Sequence, residues 1–183
     1  SLRSGLRRAA VVVSGAGVGL LREELTGAGR DARAEELDRA HHVLVRQTAA
    51  LADLWRSGEI AGVHLEGPFL AVSRCGAQDP ASIVPVDVEM LDRVLDAGDG
   101  AVLSMTFAPE VEGVDRLIDV LADRDVRGSV GHTDTDAGTV TDIVRRLAGP
   151  VSATHLFNGM PPFHPRAPGP VAACLAAAAR GEM

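Results

Sequence analysis

Short β-branched runs alternate with stretches of helical periodicity along this chain, and that rhythm restricts it to folds built from βα units. Apolar runs at 9–13, 60–65, 101–107, 126–130 and 150–153 read as strands. Between them, Leu37, His41, Leu44, Thr48, Leu51 and Trp55 recur at helical spacing, as do Val88, Leu91, Val94 and Leu95 after a capping Asp87. Val114, Leu117, Ile118 and Leu121 mark a third helix. Val140, Ile143, Val144 and Leu147 mark a fourth, with Asp136 as its expected cap. A proline-rich loop over 161–170 opens a last, alanine-rich helix. Five such units in series fit a doubly wound open sheet or a (β/α)8 barrel. A complete barrel needs about 250 residues, and the 183 here supply roughly five of its eight units. The expectation is an α/β chain in which residues 1–183 form one incomplete, open TIM-type (β/α)8 barrel domain. A start at Ser1 and an end at Met183, directly after the alanine-rich stretch, read as cuts through a longer protein.

Three of the strand-like runs end in potential metal ligands. His64-Leu65-Glu66-Gly67-Pro68-Phe69 closes an apolar strand with a carboxylate on a Gly-Pro corner. A carboxylate costs several kcal/mol to bury unpaired, so an acid in that position calls for a cation. Gly131-His132-Thr133 and Thr154-His155-Leu156-Phe157-Asn158 end two later strands in imidazoles. In a barrel such strand ends converge on one mouth. One carboxylate and two imidazoles are a suitable donor set for a divalent metal, zinc foremost, with a position left open for water. Each residue taken singly has a commoner reading, Glu66 as a loop cap and each His as a hydrogen-bonded core or loop residue. Their recurrence at three strand ends favours the metal. His64 falls on the same side of its strand as Glu66, either as a hydrogen-bonding support beneath the metal or as a packed core residue. His41 and His42 sit on the long helix, one facing the core and the other solvent.

Composition removes several function classes. The net charge is −7 and basic residues form no run, which argues against nucleic acid and anionic membrane as partners. No apolar stretch approaches the ~20 residues of a membrane span, and no signal peptide is evident. Cys75 and Cys174 are too far apart for a metal-type pair and suit reduced thiols in the cytoplasm. All 18 basic residues are arginine, which excludes Schiff-base chemistry and a Walker-type phosphate loop. Gly15 and Gly17 follow a strand in the manner of a dinucleotide fingerprint, but Leu20 stands where its third Gly or Ala belongs.

The three strand-end segments, with Gly159-Met160-Pro161 continuing the last, resemble the N-acetylglucosamine-6-phosphate deacetylase family of the amidohydrolase superfamily. The likeness runs from about residue 51 to the C-terminus, and residues 1–50 match less closely as the second βα unit. It implies metal-dependent removal of acetate from the 2-acetamido group of N-acetylglucosamine 6-phosphate, yielding glucosamine 6-phosphate in amino-sugar catabolism. It makes Glu66, His132 and His155 the metal ligands. Asn158 and Gly159 match the positions that hold the sugar phosphate. Arg166 matches a phosphate-binding arginine that reaches across a dimer interface, so a homodimer is implied for the full-length protein. A guanidinium fork is well shaped for phosphate.

Two departures from the family pattern matter. After the Gly-Pro corner the family carries Gly-Ala-His, whose His contacts the substrate near the reacting carbonyl. Here Gly76-Ala77-Gln78 occupies that place. Gln78 can donate a hydrogen bond to a carbonyl but cannot carry charge, and Ala77 would offer backbone contact to the sugar. The family's catalytic Asp comes from the last barrel strand, beyond Met183, so this chain alone is expected to be inactive. Asp134 and Asp136 stand beside a helix start and read as caps rather than as that base. Two alternatives stand beside this expectation: another amidohydrolase acting on a cyclic amide, and a non-catalytic product that keeps only metal or sugar-phosphate binding.

Overall fold

The structure is a computed structural model that describes residues 10–14, 30–147 and 149–183; the glycine run at 15–20 lies outside them. The elements are β1 (Ala10–Ser14), α1 (Arg30–Ser57), β2 (Gly62–Glu66), α2 (Val88–Gly98), β3 (Val102–Phe107), α3 (Val114–Asp123), β4 (Arg127–Val130), α4 (Ala137–Arg146), β5 (Ser152–Ala153) and α5 (Gly169–Ala179). All the strands pair in parallel, in the order β1-β2-β3-β4-β5. A doubly wound sheet reverses its order at a switch point. Here every crossover leads to the next strand on the same side, which is the order of a barrel arc. The sheet is open, as five units of eight require.

Side-chain alternation explains what each face of the sheet does. Val63 and Leu65 of β2 and Met105 and Phe107 of β3 are fully buried among Leu44, Met90, Leu91, Val94, Leu117 and Leu121 from the helices. Each such burial is worth about 1.5–3 kcal/mol. A second apolar cluster, Val130, Val140, Val144, Val151, Ala173, Cys174 and Ala177, seats α4 and α5 against the end of the sheet. The helix periodicity read from the sequence is borne out by burial: His41, Leu44 and Thr48 face inward, and His42 is exposed. No helix among the described residues is long and apolar enough to cross a membrane.

The opposite face carries polar groups that satisfy one another. His64 Nδ1 lies 2.7 Å from Ser104 Oγ, and its Nε2 lies 2.7 Å from Thr106 Oγ1. Thr106 Oγ1 in turn meets Thr154 Oγ1 at 2.7 Å, and Thr154 meets Ser129 Oγ at 2.7 Å. His64 is therefore not a packed apolar-core histidine; it anchors a hydroxyl chain across β2, β3 and β4. Burial pushes its pKa down, against the pull of Glu66.

The caps divide. Asp87 Oδ1 accepts from Met90 N at 2.9 Å and Asp136 Oδ1 from Thr139 N at 2.8 Å, as expected. Asp134 is not a cap. It lies two residues ahead of the α4 N-cap and pairs with Arg74 instead, at 2.6 Å. The last strand is also shorter than expected: Pro150 has no N–H to give to a ladder, and Val151 donates its N–H to Glu182 O instead, at 3.4 Å.

Gly131 connects β4 to His132 at a point where backbones nearly touch. A Cβ there would stand 2.9 Å from both Thr154 Cβ and Thr154 O. Gly131→Ala should destabilise the chain by about 1–3 kcal/mol, read from its denaturant midpoint. An unchanged midpoint would mean that this approach is looser than described.

Candidate metal centre

Glu66 is the last residue of β2, and the cis Gly67–Pro68 peptide turns the chain away directly after it. His132 follows β4 by two residues and His155 follows β5 by two. The parallel order brings all three to the same edge of the sheet. Glu66 Oε1 lies 2.7 Å from His132 Nε2 and 2.7 Å from His155 Nε2. The two rings stand nearly perpendicular, centroids 5.1 Å apart. One potential ligand atom from each of the three falls within 4.8 Å of the others. The side chains of His132 and Glu66 are 7% and 16% exposed, whereas that of His155 is 47% exposed and leaves the cluster open on its side.

Burial alone would raise the Glu66 pKa. The hydrogen bonds from His132 and His155 outweigh it and hold the carboxylate below its usual range, in the anionic form a cation requires. His132 Nδ1 lies 2.8 Å from the Arg74 carbonyl, which only accepts. That nitrogen therefore carries a hydrogen, and Nε2, which faces Glu66, is the one a metal would take in exchange for its own hydrogen. Donor chemistry and mutual distance fit a divalent cation.

Both imidazoles sit on left-handed backbone: His132 at φ 49°, His155 at φ 54°, with Phe157 close by at φ 73°. Non-glycine residues adopt this region at a cost of order 1–3 kcal/mol each, and it recurs where a side chain must be aimed. No sequence signal marks this strain.

The loop after β2 folds onto His132. Ala71 N donates to His132 O at 2.9 Å. A Cβ on Gly76 would lie 3.6 Å from the His132 ring and one on Gly159 3.7 Å from it, and both glycines have positive φ. Thr133 N donates to Gly159 O at 3.1 Å. The segments 76–78 and 158–159 thus both border the cluster. Ala77 is exposed. The Gln78 amide is buried, and neither its nitrogen nor its oxygen has a partner among the described residues. A Cβ on Gly67 would come within 3.3 Å of that amide oxygen, so the group lies against the corner next to Glu66. Buried amides without partners are rare and costly, which makes Gln78 a donor and acceptor in need of a ligand or water. Asn158 is exposed; its backbone N–H donates to His155 O at 2.6 Å, and its side chain makes no hydrogen bond with the described residues. Arg166 is exposed on the proline-rich loop, its backbone N–H donating to His164 Nδ1 at 3.2 Å. Its guanidinium has no partner among the described residues, and no contact joins it to the three ligands.

Sequence reading overlooked Glu110 and Arg74. Glu110 stands three residues past β3, on the loop that follows it, so a carboxylate after an apolar run was a signal available there too. Its carboxylate accepts from Thr133 Oγ1 and, at 2.6 Å, from Asp134 N. Nothing local distinguishes Arg74.

No protein-family model matches the chain. A curated N-acetylglucosamine-6-phosphate deacetylase of Bacillus subtilis (strain 168) is 41% identical over 118 residues, which is 64% of this chain and 29% of that protein. The chain therefore spans under a third of the length of this relative. A crystal structure of N-acetyl-D-glucosamine-6-phosphate deacetylase from Mycobacterium smegmatis matches with TM-score 0.72 and 34% identity, over 91% of this chain and 37% of that one. An aspartate-to-alanine mutant from the same organism, in complex with N-acetyl-D-glucosamine-6-phosphate, matches with TM-score 0.69 and 32% identity, over 91% of this chain and 46% of that one.

The two thiols should behave differently. Burial pushes Cys174 up to about 11, whereas Cys75 is half-buried on the loop beside His132. At pH 8 a thiol reagent should modify one cysteine in the native chain, Cys75, and both after denaturation. Rapid native labelling of Cys174 would contradict the packing of α5 described above.

Proposed function

We propose that this chain, a relative of the N-acetylglucosamine-6-phosphate deacetylases through most of its length, carries the metal-binding part of such an enzyme's active site. The observation that supports this most strongly is the sharing of Glu66 Oε1 by His132 and His155 at 2.7 Å each. The metal would be zinc, which suits one carboxylate and two imidazoles; when bound it polarises an amide carbonyl and makes water acidic enough to attack at neutral pH.

The chain's own residues do the positioning. Gln78 donates its amide N–H to the acetamide oxygen, as a neutral group in the place of the family His. Ala77 offers backbone contact to the sugar. Asn158 and Gly159 hold the phosphate, next to the cluster because Gly159 borders His132. Arg166 adds a guanidinium fork, and its lack of contact with the three ligands suits service to the neighbouring copy's site in a homodimer. The setting would be amino-sugar catabolism in the cytoplasm. Proton transfer is another matter, since no aspartate joins the cluster among the described residues. Asp134 is held by Arg74 and Asp136 by its cap, so the 183-residue chain is expected to bind without turning over.

Calorimetry with zinc and N-acetylglucosamine 6-phosphate tests this reading. One zinc per chain is expected, with Glu66→Gln weakening it at least 10-fold. The sugar phosphate should bind more tightly than N-acetylglucosamine, and Arg166→Ala should remove most of that preference. Absence of zinc binding would sink the metal site. Equal binding of both sugars would favour an amidohydrolase acting on an unphosphorylated amide.

A further inference from the structure

Arg74 meets the His132 segment through two different parts of the same residue. Its carbonyl accepts from His132 Nδ1 at 2.8 Å. Its guanidinium donates to Asp134 Oδ1 from Nε at 2.8 Å and from Nη2 at 2.6 Å. Ser73 Oγ donates to the other Asp134 oxygen at 3.1 Å. Backbone from Asp134 to His132 closes a ring of contacts between the loop after β2 and the loop after β4. Glu110 holds the far side by accepting from Asp134 N and Thr133 Oγ1. His132 cannot swing about its side chain, nor the loop that carries Ala77 and Gln78 shift, without opening this ring.

We infer that Arg74 is a positioning residue: its ion pair with Asp134 holds its own carbonyl where it orients His132 for the metal. This rests on the metal-site reading given above. The pair is partly exposed, 31% for Arg74 and 44% for Asp134, so it contributes little to global stability. Its effect is on the direction of one imidazole. Groups that orient a metal-binding histidine typically change affinity by about 10–100-fold.

The sign of two substitutions separates this from simple electrostatics. Removing a positive charge near a cation site should tighten binding, and removing a negative charge should weaken it. If the ring positions His132, both changes weaken. Zinc affinity of the 183-residue chain, measured by competition with a chelating dye and without sugar, should therefore fall about 10-fold in Arg74→Gln and in Asp134→Asn alike. The double substitution should be no worse than either alone, because both open one ring. Arg74→Lys, which keeps the charge but not the fork, should recover part of the affinity and guards against a variant that fails to fold. Tighter zinc binding in Arg74→Gln, additive losses, or affinities within twofold of the parent in all variants would overturn the inference. A parent chain that binds no zinc would overturn the metal reading itself, so the two failures are told apart.

Discussion

One carboxylate oxygen stands between two imidazoles, and the geometry of this edge of the sheet follows from that. Glu66 is anionic because two hydrogen bonds outweigh its burial. The imidazoles reach it only because their backbones take left-handed conformations two residues past their strands. Strain of that kind persists only where the surroundings over-determine it. Here the surroundings are specific: the hydroxyl chain under Thr154, the close approach at Gly131, and the Arg74 carbonyl on His132.

Architecture and site are linked through strand order. Parallel strands laid down in sequence put every strand's C-terminal end on one edge, so residues 66, 132 and 155 meet although 89 positions separate the first from the last. Outward-facing Val, Leu, Met and Phe supply the stability by packing under the helices. Inward-facing His64, Ser104, Thr106 and Ser129 supply little burial energy but fix where the ligands stand. Fold and site thus use opposite faces of the same strands.

Much of this was legible in the residues. β-branched runs and helical spacing are local properties, so strands, helices and the Asp87 and Asp136 caps could be read directly. Ligands at strand ends were legible too, because an acid or imidazole closing an apolar run breaks the local pattern. What could not be read depends on contacts between distant segments. Asp134 reads as a cap from its neighbours alone, and the residue that holds it, Arg74, is 60 positions away. His64 could have been core or support, and only Ser104 and Thr106 on the next strand decide between them. The choice between a doubly wound sheet and a barrel arc likewise turns on strand order, which no single strand records.

The central claim is that Glu66, His132 and His155 bind one metal together. X-ray absorption at the zinc edge of the loaded chain tests it most directly. The account predicts two imidazole nitrogens and a carboxylate oxygen at about 2.0–2.2 Å, with imidazole scattering lost to one ring in His132→Ala or His155→Ala. A spectrum with no imidazole in it, or one unchanged by both substitutions, would contradict it.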